Sequence, residues 1–137
     1  MGNEPLGEKT RARLRELRGG LLRLHKLLLD AERAAYEREH GRVAAGQMLQ
    51  LVIDDARFAW LRRLSELIVG VDEMLYAKDE AATDADARAV VSQARALLAP
   101  ADDATTDFAA KYRAALQSDP SVVMAHAEVA RVLAAED

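Results

Sequence analysis

Residues Thr10–His40 read TRARLRELRGGLLRLHKLLLDAERAAYEREH, and the order of the leucines leaves little choice of secondary structure. Leu14, Leu17, Leu21, Leu24, Leu28, Ala31 and Ala35 follow one another at steps of three and four, which gathers side chains on one face of an α-helix. A strand would scatter the same residues over both of its faces. The spacing therefore predicts one long helix. Gly19-Gly20 interrupts it, and glycine within a helix costs about 1 kcal/mol relative to alanine. The pair marks a kink, a helix start or a place where another backbone comes close. Gly41 follows as a terminator.

The rest of the chain repeats the pattern in shorter pieces. A short helix is expected from Gly46 to Ile53, with Asp54-Asp55 capping a new one, or else one unbroken helix from Gly46 to Lys78. In FAWLRRLSELIVGVDEML, Leu61, Leu64, Ile68, Val71 and Leu75 form a stripe, with Trp60, Leu67 and Met74 beside it. That breadth predicts a helix enclosed on more than one side, and its charged residues keep it from spanning a membrane. A helix capped by Thr83 or Asp84 should run from about Ala85 to Ala99, burying Ala87, Val90, Val91, Ala94, Leu97 and Leu98, and Pro100 should end it. A further helix should occupy about Ala104 to Gln117. Asp119-Pro120, a cap followed by a proline at the first helical position, should open the last, which runs to about Ala135.

Composition agrees with this reading. Half of the 137 residues are hydrophobic but 4% are aromatic, so alanine, leucine and valine must supply the packing. Most of these side chains lose little freedom in a helix. The expected fold is all-α: a compact antiparallel bundle of four long helices plus one or two short ones. It forms one domain over 1–137, with 1–8 disordered and 108–134 a helical hairpin. At this length folding should bury about 68% of the chain's surface, enough for one core.

The absence of cysteine excludes disulfides, thiolate nucleophiles and cysteine-ligated zinc. No signal-peptide core or membrane-length apolar run is present, so the expected setting is cytoplasmic, and the composition suggests a bacterial source. The net charge of −4 gives no bulk attraction for nucleic acid. Residues 8–26 nevertheless hold seven cations against Glu8 and Glu16, a local +5 that leaves −9 elsewhere. The favoured reading of this basic segment is neutralisation of the protein's own helices. The alternative is an acidic partner or nucleic acid bound along a ridge of Arg11, Arg15 and Arg18.

Two further groups are candidate sites. His25, Leu29, Glu32 and Tyr36 share a face at the edge of the leucine stripe, and Asp72 and Ser65 form a polar edge that could face them. Such a set could bind a small ligand or move protons, with His25, Glu32 and Asp72 as polar groups and Tyr36 as a donor. The structural reading has each polar tip bonded at the rim of the core while its apolar body packs, and it is the favoured one. Leu22, Leu27 and Leu29 lie outside the stripe, and a helix apolar on two sides needs a central position or a partner. Glu37 and His40 form a single Glu-x-x-His, short of the two motifs and two more glutamates that a di-iron bundle requires. No nucleophile motif or phosphate loop is present, and no metal or cofactor is expected.

The segment FAAKYRAALQSDPSVVMAHAEVARVL, Phe108 to Leu133, resembles the junction between two tetratricopeptide repeats, with Tyr112, Ala115, Pro120, Val129, Ala130 and Leu133 at the matching positions. His126 stands where that pattern has tryptophan and Phe108 where it has alanine. Nothing similar recurs one period upstream, so the resemblance implies a helical hairpin and not a solenoid. The expected function is that of a non-enzymatic interaction or adaptor module that self-associates, its surface formed by the long first helix, including Leu22 and Leu29, and by the Trp60 helix.

Overall fold

The computed structural model describes residues 5–76, 82–99 and 106–135, and among them the chain is all-α. Helix α1 spans Glu8–His40 without a break, 33 residues and about 50 Å long. Helix α2 covers Ala45–Asp54, a 3-10 segment Ala56–Leu61, and α3 Arg62–Tyr76. Helices α4, α5 and α6 then span Asp84–Leu98, Asp107–Ser118 and Pro120–Ala134. None of them is long and apolar enough to cross a membrane.

The ends follow local chemistry. Gly41 takes a φ of 84° and closes α1 by donating its N–H to the Glu37 carbonyl at 2.8 Å. The unbroken alternative to Lys78 is not adopted: Asp55 separates α2 from the 3-10 segment, its carboxylate accepting the Arg57 N–H at 2.8 Å. Thr83 and Asp86 form a reciprocal capping box on α4, and Asp119 caps α6 ahead of Pro120. The termination expected at Pro100 lies outside the described residues, as do residues 1–4. Pro5 is bridged to Thr83, and α1 begins at Glu8, two residues before the predicted start.

Leu14, Leu17, Leu21, Leu24 and Leu28 are all buried and form the axis of the main core. Trp60, the α3 stripe, the α4 face, Phe108, Tyr112 and the inner face of α6 close around them. Beyond Leu28 the stripe does not continue as predicted: Ala31 is exposed and Ala35 half-buried. The inward face shifts to Leu29 and Tyr36, which pack on a second, smaller core of Val43, Met48 and Phe58. The shift follows the neighbours, because this end of α1 meets Phe58 of the 3-10 segment together with Val43 and Met48. Phe58 and Trp60, two residues apart in the 3-10 segment, point into different cores. The link into α2 is pinned by α1, with Arg33 donating to the Val43 carbonyl at 2.9 Å and Glu37 accepting the Val43 N–H at 2.8 Å.

Gly19-Gly20 does not break α1. Gly20 is buried, and a Cβ placed there would lie 2.8 Å from Val129 Cγ2 on α6. The glycine allows two helices to approach closely. Arg13 reaches Val132 and Leu133 while Arg23 reaches Glu128, so α1 and α6 run antiparallel.

Candidate functional site

A row of α1 residues at seven-residue spacing, Arg11, Arg18, His25 and Glu32, meets the 3-10 segment and α3 in antiparallel order. Arg11 Nη1 donates to the Leu75 carbonyl at 3.0 Å, and Arg18 pairs with Asp72. His25 Nε2 lies 3.0 Å from Ser65 Oγ, and Glu32 Oε1 accepts the Trp60 Nε1–H at 3.2 Å. A spacing of seven suits such a seam, since it returns to nearly the same helix face every two turns. Ser65 does face His25, as its position in the chain suggested; Asp72 is turned to Arg18 instead.

Among the described residues no hydrogen bond joins His25, Glu32 and Tyr36 to one another. Tyr36 belongs to the second core, its ring 6.3 Å from that of Phe58 and 4.4 Å from that of His40, with the Arg57 guanidinium 5.9 Å from its centre. His25 and Glu32 are bonded to different partners and Tyr36 is held through its ring, so no pair is supplied through which a proton could pass directly between these three. Glu37 is occupied by Val43, and no cluster of three or more potential metal ligands occurs among the described residues.

The N-terminal cations are used in a way composition could not specify. Arg11 caps the last turn of α3, and Arg13 donates to the carbonyls of Val132 and Leu133 at 3.2 and 3.1 Å in the last turn of α6. Arg95 adds a bond to Leu133, and Arg62 reaches the Ile53 carbonyl at 3.2 Å near the end of α2. These carbonyls have no partner within their helices, and a cation suits the negative end of the helix dipole. Of the ridge Arg11, Arg15 and Arg18, two members are therefore turned to α3, while Arg15 is exposed.

Tyr112 and His126 were not expected to carry chemistry, yet they form a close polar contact across the α5–α6 hairpin. The buried Tyr112 hydroxyl lies 2.6 Å from His126 Nδ1, and its ring stacks on Phe108 at 5.4 Å, which in turn meets Trp60 at 5.4 Å. Both residues stand seven positions from Asp119, so a hairpin turning there sets them level. That symmetry was the available signal. Burial pushes the Tyr112 phenol well above its ordinary range, so the hydroxyl stays protonated beside His126.

His25 and His126 are both held below the ordinary histidine value of 6.5, because a half-buried ring loses part of the water that would solvate its charge. Below that value the unfolded chain binds more protons than the folded one, so stability falls as pH drops from 6.5 toward the folded-state values. Above it the contribution is complete. The urea midpoint should be lower in mildly acidic buffer than in mildly alkaline buffer, and His25→Gln with His126→Gln should flatten the difference. A midpoint equally pH-dependent without the two histidines would refute this assignment.

Exposed large apolar side chains mark surfaces of a different kind. Leu22 is 39% exposed, whereas Leu27 and Leu29 pack partly against the protein's own core, Leu29 against both clusters. On α2, Leu49 is 65% and Ile53 55% exposed, one turn apart on a face free of charge. No family model matches the chain, and neither a curated protein nor a solved structure does.

Proposed function

We propose that this chain is a non-enzymatic interaction module that pairs with a second copy of itself through the outer face of α2. The reading rests on the run Val43–Ile53, eleven residues without a charge, whose inner side chains fill the small core while Leu49 and Ile53 face outward. An uncharged ridge is self-complementary, since two copies meet without like-charge repulsion. Leu22, on α1, is a second exposed apolar position, and Leu29 supports the surface from beneath. A cytoplasmic setting and a bacterial source belong to the same proposal. A ligand site at His25, Glu32 and Tyr36 is the weaker alternative, because each of these groups already has its own partner.

One ten-residue helix offers less than the roughly 1,200 Å² of a standard interface, so the pairing should be weak and concentration-dependent. Sedimentation equilibrium of the untagged protein at rising concentration should show the mean mass climbing from 15.0 kDa toward twice that value. Leu49→Asp with Ile53→Asp should hold it at the mass of one chain. A mass independent of concentration, or the same climb in the variant, would exclude this face.

A further inference from the structure

We infer, resting on the self-association proposed above, that the second copy also covers the outer side of the α1–α3 seam, with α1 of each chain over α3 of the other. Two bonds fix the levels of this seam: Arg18 pairs with Asp72, and His25 meets Ser65. Leu22 stands one turn from both Arg18 and His25, and Val69 one turn from both Asp72 and Ser65. The two apolar residues therefore come level on the side away from the core, where both are exposed. Tyr76, two turns beyond Val69, is exposed as well, its ring centre 6.0 Å from the Arg18 guanidinium. At the other end Arg62 donates to the Ile53 carbonyl, which brings the start of α3 beside the end of α2.

Charge decides what covers this strip. Its α1 border carries Arg15 and Lys26 and its α3 border Glu66 and Glu73, all exposed. Arg15, Glu66 and Glu73 have no ion-pair partner among the described residues, and Lys26 pairs with Asp30 of its own helix, both more than half exposed. Counted from the two bonds in opposite directions along the helices, Arg15 is level with Leu75, and Lys26 with Leu64. Glu73 and Glu66 lie two residues from those levels, about 3 Å along the axis. A two-fold axis running along the seam keeps every level and exchanges the helices. Arg15 then meets the second copy's Glu73, Lys26 its Glu66, and Leu22 its Val69. Asp30 and Arg62 fall together by the same count. A two-fold axis across the seam would instead set α1 on α1 and α3 on α3, cations against cations and acids against acids. The strip follows the 15 residues of α3 for about 22 Å, area that α2 alone lacks. Exposed ion pairs add little affinity each, so these charges fix orientation more than strength.

Exchanging the charges in the full chain, read by sedimentation equilibrium, tests the arrangement. Glu66→Lys with Glu73→Lys should weaken self-association by about tenfold or more, and so should Arg15→Glu with Lys26→Glu. An equimolar mixture of the two variants should associate within about threefold of the unaltered chain, because every cation then faces an acid again. Circular dichroism of each variant checks that the helices persist. An unaltered chain that stays at 15.0 kDa at every concentration would overturn self-association itself and this orientation with it. A mass that climbs equally in the unaltered chain and in both variants, or a mixture that associates no better than either variant alone, would leave the α2 pairing standing and overturn the orientation.

Discussion

Gly20→Val should lower stability by about 3 kcal/mol, while Gly19→Ala, one residue earlier, should raise it by about 1 kcal/mol. The two glycines are alike in sequence and opposite in surroundings. A Cβ at Gly20 meets Val129 Cγ2 at 2.8 Å, closer than two carbons approach without something moving, and Val129 is fully buried. A Cβ at Gly19 meets nothing nearer than Arg23 Nη1 at 3.8 Å, an ordinary contact. There alanine simply removes the backbone freedom that glycine loses on folding. Gly20→Ala lies between the extremes, its overpacking of about 1–3 kcal/mol offset by about 1 kcal/mol of helix propensity. Adding Val129→Ala to Gly20→Ala should recover part of the loss, as a favourable coupling of about 1 kcal/mol in a double-mutant cycle. Urea midpoints at unchanged m-value read all of these. Equal midpoints for Gly20→Val and Gly19→Ala would show that α1 and α6 do not approach at this point.

The second large effect is local. Phe58→Ala removes the largest buried side chain of the small core, a change that costs about 3–5 kcal/mol at a buried site. Because Val43, Met48 and Phe58 form a cluster apart from the main one, the loss should fall on the attachment of α2 and not on the whole bundle. A ten-residue helix is not stable alone in water, so α2 should unravel once released. Hydrogen exchange in Ala45–Asp54 should accelerate by about a hundredfold or more. The slowest amides of α1 between Leu14 and Leu24, and those of α6, should keep their rates. The variant should also lose concentration-dependent association, since the Leu49–Ile53 ridge exists only while α2 is held in place. Uniform acceleration across all helices would mean that the two cores unfold as one.

Much of the helical framework was legible in the spacing of the apolar residues. Leu14 to Leu28, the α3 stripe and five of the six predicted inward positions on α4 are buried as that spacing requires, the sixth, Leu97, only partly. Helix caps at Gly41, Thr83 and Asp119 were legible for a related reason, since each acts on amides or carbonyls within a few residues of itself. The candidate site was less legible. The face carrying His25 and Glu32 could be drawn on a helical wheel, and Ser65 could be named as a facing group. The wheel could not show that His25 would bond Ser65, Glu32 would bond Trp60, and Tyr36 would join another core.

Periodicity, capping and turn chemistry act over a few residues, so the order of amino acids sufficed to say where helices form, where most of them end and which sides turn inward. Register between helices is not local: it depends on how residues many positions apart come level when the whole core closes. Packing between helices settled that Gly20 serves the contact with α6, that Arg11 and Arg13 cap the ends of α3 and α6, and that Tyr112 meets His126. It also turned the inward face of the last part of α1 to Leu29 and Tyr36, because the place where Val43, Met48 and Phe58 gather depends on the closed fold and not on the spacing of leucines within α1.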